Sequence, residues 1–274
     1  VPAALLRGSG FPAAPLLEFI MHDQFLELVA IIQRLRKECP WDSVQTNDSI
    51  KAATIEEAYE VVQAIDEKDY AELKKELGDL LLHVVFHSVI AEESGHFQLS
   101  DVIREITEKL IRRHPHIFSD TKADTAEEVK QNWETIKLEE GRKSVIDGLP
   151  IHLPALQRAH RMQDKVAKVG FDWNHINDVW AKVEEEMGEL REAVQLKNQD
   201  EIENEFGDLL FSLVNYARFV NVNPEDALRR TIAKFESRFH YIEDRLAEQN
   251  RKITESNLEE MDKYWNESKT ALKK

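Results

Sequence analysis

An internal duplication constrains this chain more than any other feature. Glu56-Glu57-Ala58-Tyr59-Glu60 recurs 129 residues later as Glu185-Glu186-Met187-Gly188-Glu189. The same offset, without a gap, carries Ala64 onto Ala193, Glu76 onto Glu205, and Gly78-Asp79-Leu80-Leu81 onto Gly207-Asp208-Leu209-Leu210. Further along the offset becomes 125, matching Lys109 and Arg113 to Lys234 and Arg238, and then 132, matching Trp133 and Lys137 to Trp265 and Lys269. Slippage of this size belongs in connections between elements. Such a chain is expected to fold as two like units. Pro150 and Pro154, four apart behind Gly148, forbid a continuous helix between them. We therefore expect a first domain over residues 21–147, a linker over 148–154 and a second domain over 155–274. Residues 1–20 contain Pro2, Pro12, Pro15 and a Gly8-Ser9-Gly10 patch and do not begin with methionine. They read as a leader foreign to the two domains, with Met21 as the expected native start.

Each half predicts helices. Residues 49–66, 70–93 and 99–113 carry apolar side chains at threes and fours, and so do 177–197, 200–220 and 224–247. Asp69 and Asp101 stand near helix starts, Gly95 follows a helix end, and Pro224 suits a first helical turn. With 9 glycines and 8 prolines in 274 residues, the chain has too little turn punctuation for a sandwich or barrel. The expected fold is all-α, two tandem helical bundles.

The acidic residues of the repeat are arranged with mirror symmetry. Glu57 and Glu60 lie three apart on one predicted helix, and Glu76 and Asp79 three apart on the next. Both the inner and the outer pair are equidistant from Lys68, and in an antiparallel hairpin such residues face each other. In the second half Glu186, Glu189, Glu205 and Asp208 are placed in the same way about Lys197. An acidic helix face by itself is normally a solvated surface. Four carboxylates mirrored about a turn, twice, instead predict a site for a hard divalent cation, magnesium or manganese, because without one they repel each other. Gly78 and Gly207, kept inside both hairpins, predict close approach of another segment to the helix backbone.

The chemistry elsewhere is sparse. Lys109 with Arg113, Lys234 with Arg238, Trp133 with Lys137 and Trp265 with Lys269 are each four apart, a spacing that lets them meet a phosphate chain. The chain has 36 Lys and Arg against 52 Asp and Glu, a net charge of −16, which disfavours nucleic acid and anionic membranes as partners. No apolar run approaches the roughly 20 residues that span a bilayer. The single Cys39 allows no internal disulfide and fits a cytoplasmic location. His83 and His87 share a helix face, but Ser212 and Tyr216 occupy the matching positions, so the pair is expected outside the duplicated site. The one Glu-x-x-His, Glu93 with His96, is interrupted by Gly95, which argues against a diiron bundle. There is no Walker A sequence, Gly-x-Ser-x-Gly elbow or His-Glu-x-x-His pair.

The tandem Glu-Glu-x-x-Glu and Glu-x-x-Asp pairs follow Cys39-Pro40-Trp41-Asp42 in the first half and Gly170-Phe171-Asp172-Trp173 in the second. With the trailing Trp-x-x-x-Lys, this pattern resembles the MazG family of nucleoside triphosphate pyrophosphohydrolases from Met21 to Lys274. The resemblance implies the all-α fold shared with dimeric dUTPases and phosphoribosyl-ATP pyrophosphohydrolases, a homodimer formed through helices, and conversion of NTP and water to NMP and pyrophosphate. It implies broad use of ribo- and deoxynucleotides, ATP included, and removal of excess or aberrant nucleotides; the alternative is a nucleotide-sensing or partner-binding regulator with little turnover. Carried over residue by residue, Glu186, Glu189, Glu205 and Asp208 would hold magnesium, and Lys182, Lys234, Arg238, Trp265 and Lys269 would contact the nucleotide. The first-half counterparts are Glu57, Glu60, Glu76 and Asp79, with Lys109, Arg113, Trp133 and Lys137. Glu185 or Glu189 would accept the proton of the attacking water. Lys182 lies four residues before Glu186, whereas its counterpart is Ala53. The second half is therefore expected to be the main catalytic site, with the first structural or weakly active.

Overall fold

The computed structural model describes residues 15–119, 123, 125, 128–129, 132, 136 and 144–272. Among them there is no strand. In chain order the helices of the first unit are α1 (Pro15–Glu38), α2 (Asn47–Glu67), α3 (Tyr70–Glu93), α4 (Leu99–Arg113) and the short α5 (Pro115–Phe118). Those of the second are α6 (Ala155–Ala167), α7 (Ile176–Leu196), α8 (Gln199–Phe219), α9 (Pro224–Ala247) and α10 (Leu258–Ala271). The chain divides into compact units between Lys122 and Ala123.

Both antiparallel hairpins, α2–α3 and α7–α8, turn where the mirror symmetry centres. Lys68 and Lys197 adopt left-handed backbone conformations, φ 58° and 54°. At each turn the next amide bonds back into the ending helix, Asp69 N to Ala64 O at 3.0 Å and Asn198 N to Ala193 O at 3.4 Å. The following helix is capped from the same turn. Asp69 Oδ1 accepts from the amides of Ala71 and Glu72, and Asn198 Oδ1 from that of Glu201. Helix α2 starts two residues before the expected Ser49, because Thr46 and Ser49 exchange side-chain and main-chain hydrogen bonds in a capping box. Gly95, φ 71°, ends α3 as expected, with His96 N bonded to Ala91 O.

In the first unit, Ile32 of α1, Ile50 of α2 and Val85, Phe86, Val89 and Ile90 of α3 form the core. Arg36 fastens the segment between α1 and α2: its Nη1 donates to the carbonyls of Asp42 and Gln45, and Nη2 pairs with Glu93 at 2.6 Å. In the second unit α6 packs on α8 and α9, and α10 returns on α9 over Ile242, Leu246 and Tyr264. The buried Lys165 is satisfied by main-chain oxygens, donating to Val145 O at 2.9 Å and Asp147 O at 3.0 Å. This contact ties residues 145–147, expected at the end of the first domain, to the second unit.

Within this chain the close approach expected at Gly78 and Gly207 is not made by any described segment. A Cβ built on either meets nothing within 4 Å among the described residues, so no segment approaches the backbone there. These glycines lie on open helix faces flanked by exposed apolar residues, Leu77, Leu81 and Val84 on α3 and Phe206, Leu210 and Leu213 on α8. No helix among the described residues is long and apolar enough to cross a membrane.

Candidate active site

In the second unit, α7 supplies Glu186 and α8 supplies Glu205 and Asp208, and carboxylate oxygens of all three lie within 4.8 Å of one another. Glu186 is buried, 6 % exposed, so its charge requires a partner. Lys182, one helical turn earlier, provides one: Nζ lies 2.7 Å from Glu186 Oε1 and 2.8 Å from Glu185 Oε1. Hydrogen bonds to Glu185 and Glu186 hold the Lys182 ammonium well above its usual pKa. Partial desolvation and the charges of Asp208 and Glu186 raise Glu205, and desolvation with Glu186 and Glu205 raises Glu189. Glu189 is close enough to feel these charges but stands outside the three-oxygen cluster. An all-oxygen, mutually repelling donor set of this kind suits a hard divalent cation, so the residues present fit magnesium.

The first unit repeats the arrangement with Glu57, Glu76 and Asp79, again within 4.8 Å, and with Glu60 outside the cluster. Desolvation, Glu60 and Asp79 raise Glu57, and desolvation with Glu72 and Glu60 holds Glu76 up to about 7. Ala53 provides no ammonium here. His83 is nearer than the sequence indicated: Nε2 lies 3.8 Å from Glu57 Oε1, at the edge of the cluster. Thr54 Oγ1 joins the histidines, 2.9 Å from His83 Nδ1 and 2.8 Å from His87 Nε2, and His87 Nδ1 lies 2.7 Å from Asn47 Oδ1. The expectation that this pair sits apart from the site is thereby corrected for His83. Thr54, at the position matching Val183, was the missing link.

The basic and aromatic residues are distributed differently. Lys234 is exposed on α9, and Arg238 lies over the Trp265 ring of α10, 5.4 Å from its centroid. Phe235 packs against the same ring at 5.1 Å, and Lys269 Nζ donates to Asn266 at 2.7 Å. Lys234, Arg238, Trp265 and Lys269 thus sit on α9 and α10 and are not among the residues lining the cavity beside the carboxylates. On α4, Lys109 is exposed and Arg113 half-buried. Trp133 and Lys137 lie outside the described residues.

Sequence reasoning missed a cavity of about 710 Å³ in the second unit, bordered by Lys182, Glu186 and Asp208 and extending over α6, α8 and the segment between α6 and α7. Asp172, in that segment, is held by both terminal nitrogens of Arg218 on α8, one at 2.9 Å. The Gly-Phe-Asp-Trp sequence was its only signal, and only the fold reveals Arg218 as the anchor that places Phe171 and Trp173 at the cavity.

Helical hairpins with mirrored carboxylates, duplicated in one chain and associated in one unit with a lysine and a cavity, define the class as tandem-repeat all-α proteins with a candidate divalent-cation site. The MazG nucleotide pyrophosphohydrolase domain matches residues 45–118 and 176–242, and the chain belongs to this family. The chain is 47 % identical over 250 residues to the nucleoside triphosphate pyrophosphohydrolase/pyrophosphatase MazG of Thermotoga maritima, covering 89 % of this chain and 95 % of that one. It is 43 % identical over 258 residues to the nucleoside triphosphate pyrophosphohydrolase of Escherichia coli K12, covering 90 % and 97 %. It is also 45 % identical over 258 residues to the uncharacterized protein YabN of Bacillus subtilis, covering 92 % of this chain and 53 % of that one.

Proposed function

We propose that the chain hydrolyses nucleoside triphosphates to the monophosphate and pyrophosphate, with the second unit as the main site. The observation that carries the reading is the meeting of Glu186, Glu205 and Asp208 with Lys182 at the border of a nucleotide-sized cavity. Glu186, Glu205 and Asp208, with Glu189 completing the set, are the residues that would hold Mg2+, or Mn2+ in its place. Held there, such an ion would supply the positive charge that a chain of net charge −16 needs to accept a triphosphate and would favour ionisation of the attacking water. Glu189, less committed to the cluster and more basic than an ordinary carboxylate, is assigned as acceptor of the water's proton, with Glu185 held instead by Lys182. Lys182 offsets negative charge beside the reacting phosphoryl group, while Lys234, Arg238, Trp265 and Lys269 are assigned to the nucleotide and its leaving pyrophosphate.

On the same reading Glu57, Glu60, Glu76 and Asp79, with Lys109, Arg113, Trp133 and Lys137, form a weaker or structural copy. The matched apolar faces of α3 and α8 support a homodimer assembled through helices. Broad acceptance of ribo- and deoxynucleotides, removal of excess or aberrant nucleotides and a cytoplasmic location complete the proposal. The test is product analysis with ATP and magnesium. AMP and pyrophosphate are expected, with activity lost on chelation and restored by magnesium; direct release of orthophosphate overturns the reaction.

A further inference from the structure

Beside its carboxylate cluster the first unit carries a relay of polar side chains that the second unit lacks. Burial pushes the His87 imidazole down, so the ring is neutral and bears a single N–H. Nδ1 lies 2.7 Å from the acceptor Asn47 Oδ1 and therefore holds that hydrogen, which leaves Nε2 as an acceptor 2.8 Å from the Thr54 hydroxyl. Thr54 Oγ1 also stands 3.1 Å from Ile50 O. Whichever of the two takes its one hydrogen, the Thr54 oxygen remains an acceptor for His83 Nδ1 at 2.9 Å. Neutral His83 then presents a bare lone pair at Nε2, 3.8 Å from Glu57 Oε1. The two side chains are only 12 % and 21 % exposed. An imidazole lone pair facing a carboxylate in that shelter calls for a cation between them.

The duplication sets the two units in opposite senses. At the offset of 129, Asn47, Thr54, His83 and His87 fall on Ile176, Val183, Ser212 and Tyr216, so no member of the relay is repeated. The same offset puts Ala53 against Lys182, whose ammonium already pairs with Glu186 in the second unit. One cluster has a resident ammonium; the other has none and gains a nitrogen donor. On α3, Glu76, Asp79 and His83 follow one another at spacings of three and four, which keeps them on one helix face, and Glu57 of α2 meets the two carboxylates there.

We infer that the first unit holds a zinc ion, with His83 Nε2 joining Glu57, Glu76 and Asp79 as a ligand, and that it does so without nucleotide. The inference rests on the reading of those carboxylates as cation ligands and not on the reaction assigned to the second unit. Magnesium is suited by oxygen ligands throughout, whereas an imidazole beside carboxylates favours zinc and its transition-metal neighbours. A ligating histidine ordinarily gives its other N–H to an oxygen that fixes the ring, and Thr54 does this for His83. An ion held here would tie α2 to α3, a structural role beside the chemistry of the second unit.

The test is calorimetric titration of the full chain with zinc chloride after chelator treatment, in a Glu186→Ala background that disables the second cluster. Zinc is expected to bind one ion per chain in the presence of millimolar magnesium and in the absence of nucleotide. His83→Ser, which installs the second unit's residue, should weaken that binding at least about tenfold, and Thr54→Val, which keeps the shape but removes the orienting oxygen, should weaken it about tenfold. Zinc affinity unchanged in His83→Ser overturns the assignment, and so does a chain that takes up no zinc, the gap beside Glu57 then being left to a proton. Should the variants fail to fold by circular dichroism, X-ray absorption at the zinc edge of the Glu186→Ala chain with one equivalent of metal decides: imidazole scattering is expected, and a shell of oxygen alone overturns the proposal. Pyrophosphate release by the wild-type protein together with unchanged zinc affinity in His83→Ser removes only this assignment, whereas a wild-type chain that binds neither zinc nor magnesium removes the cation reading of both clusters.

Discussion

Glu186 and Glu57 hold matching places in the repeat but unequal environments. Glu186 is buried against Lys182, whereas Glu57 has Ala53 at the matching position and His83 Nε2 3.8 Å away. Loss of one carboxylate from an electrostatic site of this kind removes about 100-fold or more in rate, so Glu186→Ala should abolish pyrophosphate release within that margin. Glu57→Ala should change kcat by less than about twofold, and the reverse result would assign the chemistry to the first unit. A second consequence concerns pH. Desolvation and neighbouring carboxylates hold Glu76 up to about 7, above its value in the unfolded chain, so folding favours its neutral form. This contribution is complete below the unfolded carboxylate range near pH 4 and fades as the pH rises through about 7. In EDTA the melting temperature should therefore fall between pH 5 and 8, less steeply in Glu76→Gln, and magnesium should reduce the fall by neutralising the cluster.

At the scale of elements, the two hairpins depend on lysines in a conformation that suits glycine. A side-chain-bearing residue in the left-handed region costs about 1 kcal/mol, while glycine loses part of that advantage through its freedom in the unfolded chain. Lys197→Gly should raise unfolding free energy by about 0.5 kcal/mol in urea titrations, with turnover unchanged because the turn lies two helical turns from Glu189 and Glu205. A loss of stability would mean that the lysine side chain contributes more than its backbone costs. The hairpin geometry explains why the meeting of carboxylates was legible: once 68 and 197 are fixed as turn centres, helical periodicity sets which of them face each other.

For the whole molecule, the matched exposed triplets are the feature that solution behaviour must answer for. Leu77, Leu81 and Val84 are 50 %, 41 % and 43 % exposed, and their repeat partners Phe206, Leu210 and Leu213 are 53 %, 41 % and 41 % exposed. Apolar side chains at i, i+4 and i+7 on both units, flanking open glycines, form the kind of face that helices bury on association. Sedimentation velocity should find a dimer, and Leu81→Glu combined with Leu210→Glu should shift it to monomer. A monomeric wild-type protein at micromolar concentration would remove the dimer from the proposal.

The sequence by itself determined the all-α class, the duplication, the helix limits to within a few residues and the pairing of carboxylates across each turn. All of these follow from local periodicity and from a symmetry that one chain carries twice. It also distinguished the halves by Lys182 against Ala53. Only the tertiary structure decided that Gly78 and Gly207 border open faces, that His83 stands beside Glu57, and that Arg238 lies over the Trp265 ring. It alone revealed the cavity, because Gln163, Asp172 and Asn215 come from three separate stretches of chain whose approach depends on how α6 packs on α8. Contacts within a hairpin are set by spacing along the chain, whereas contacts between packed helices depend on side-chain shape and register across distances that no short pattern encodes.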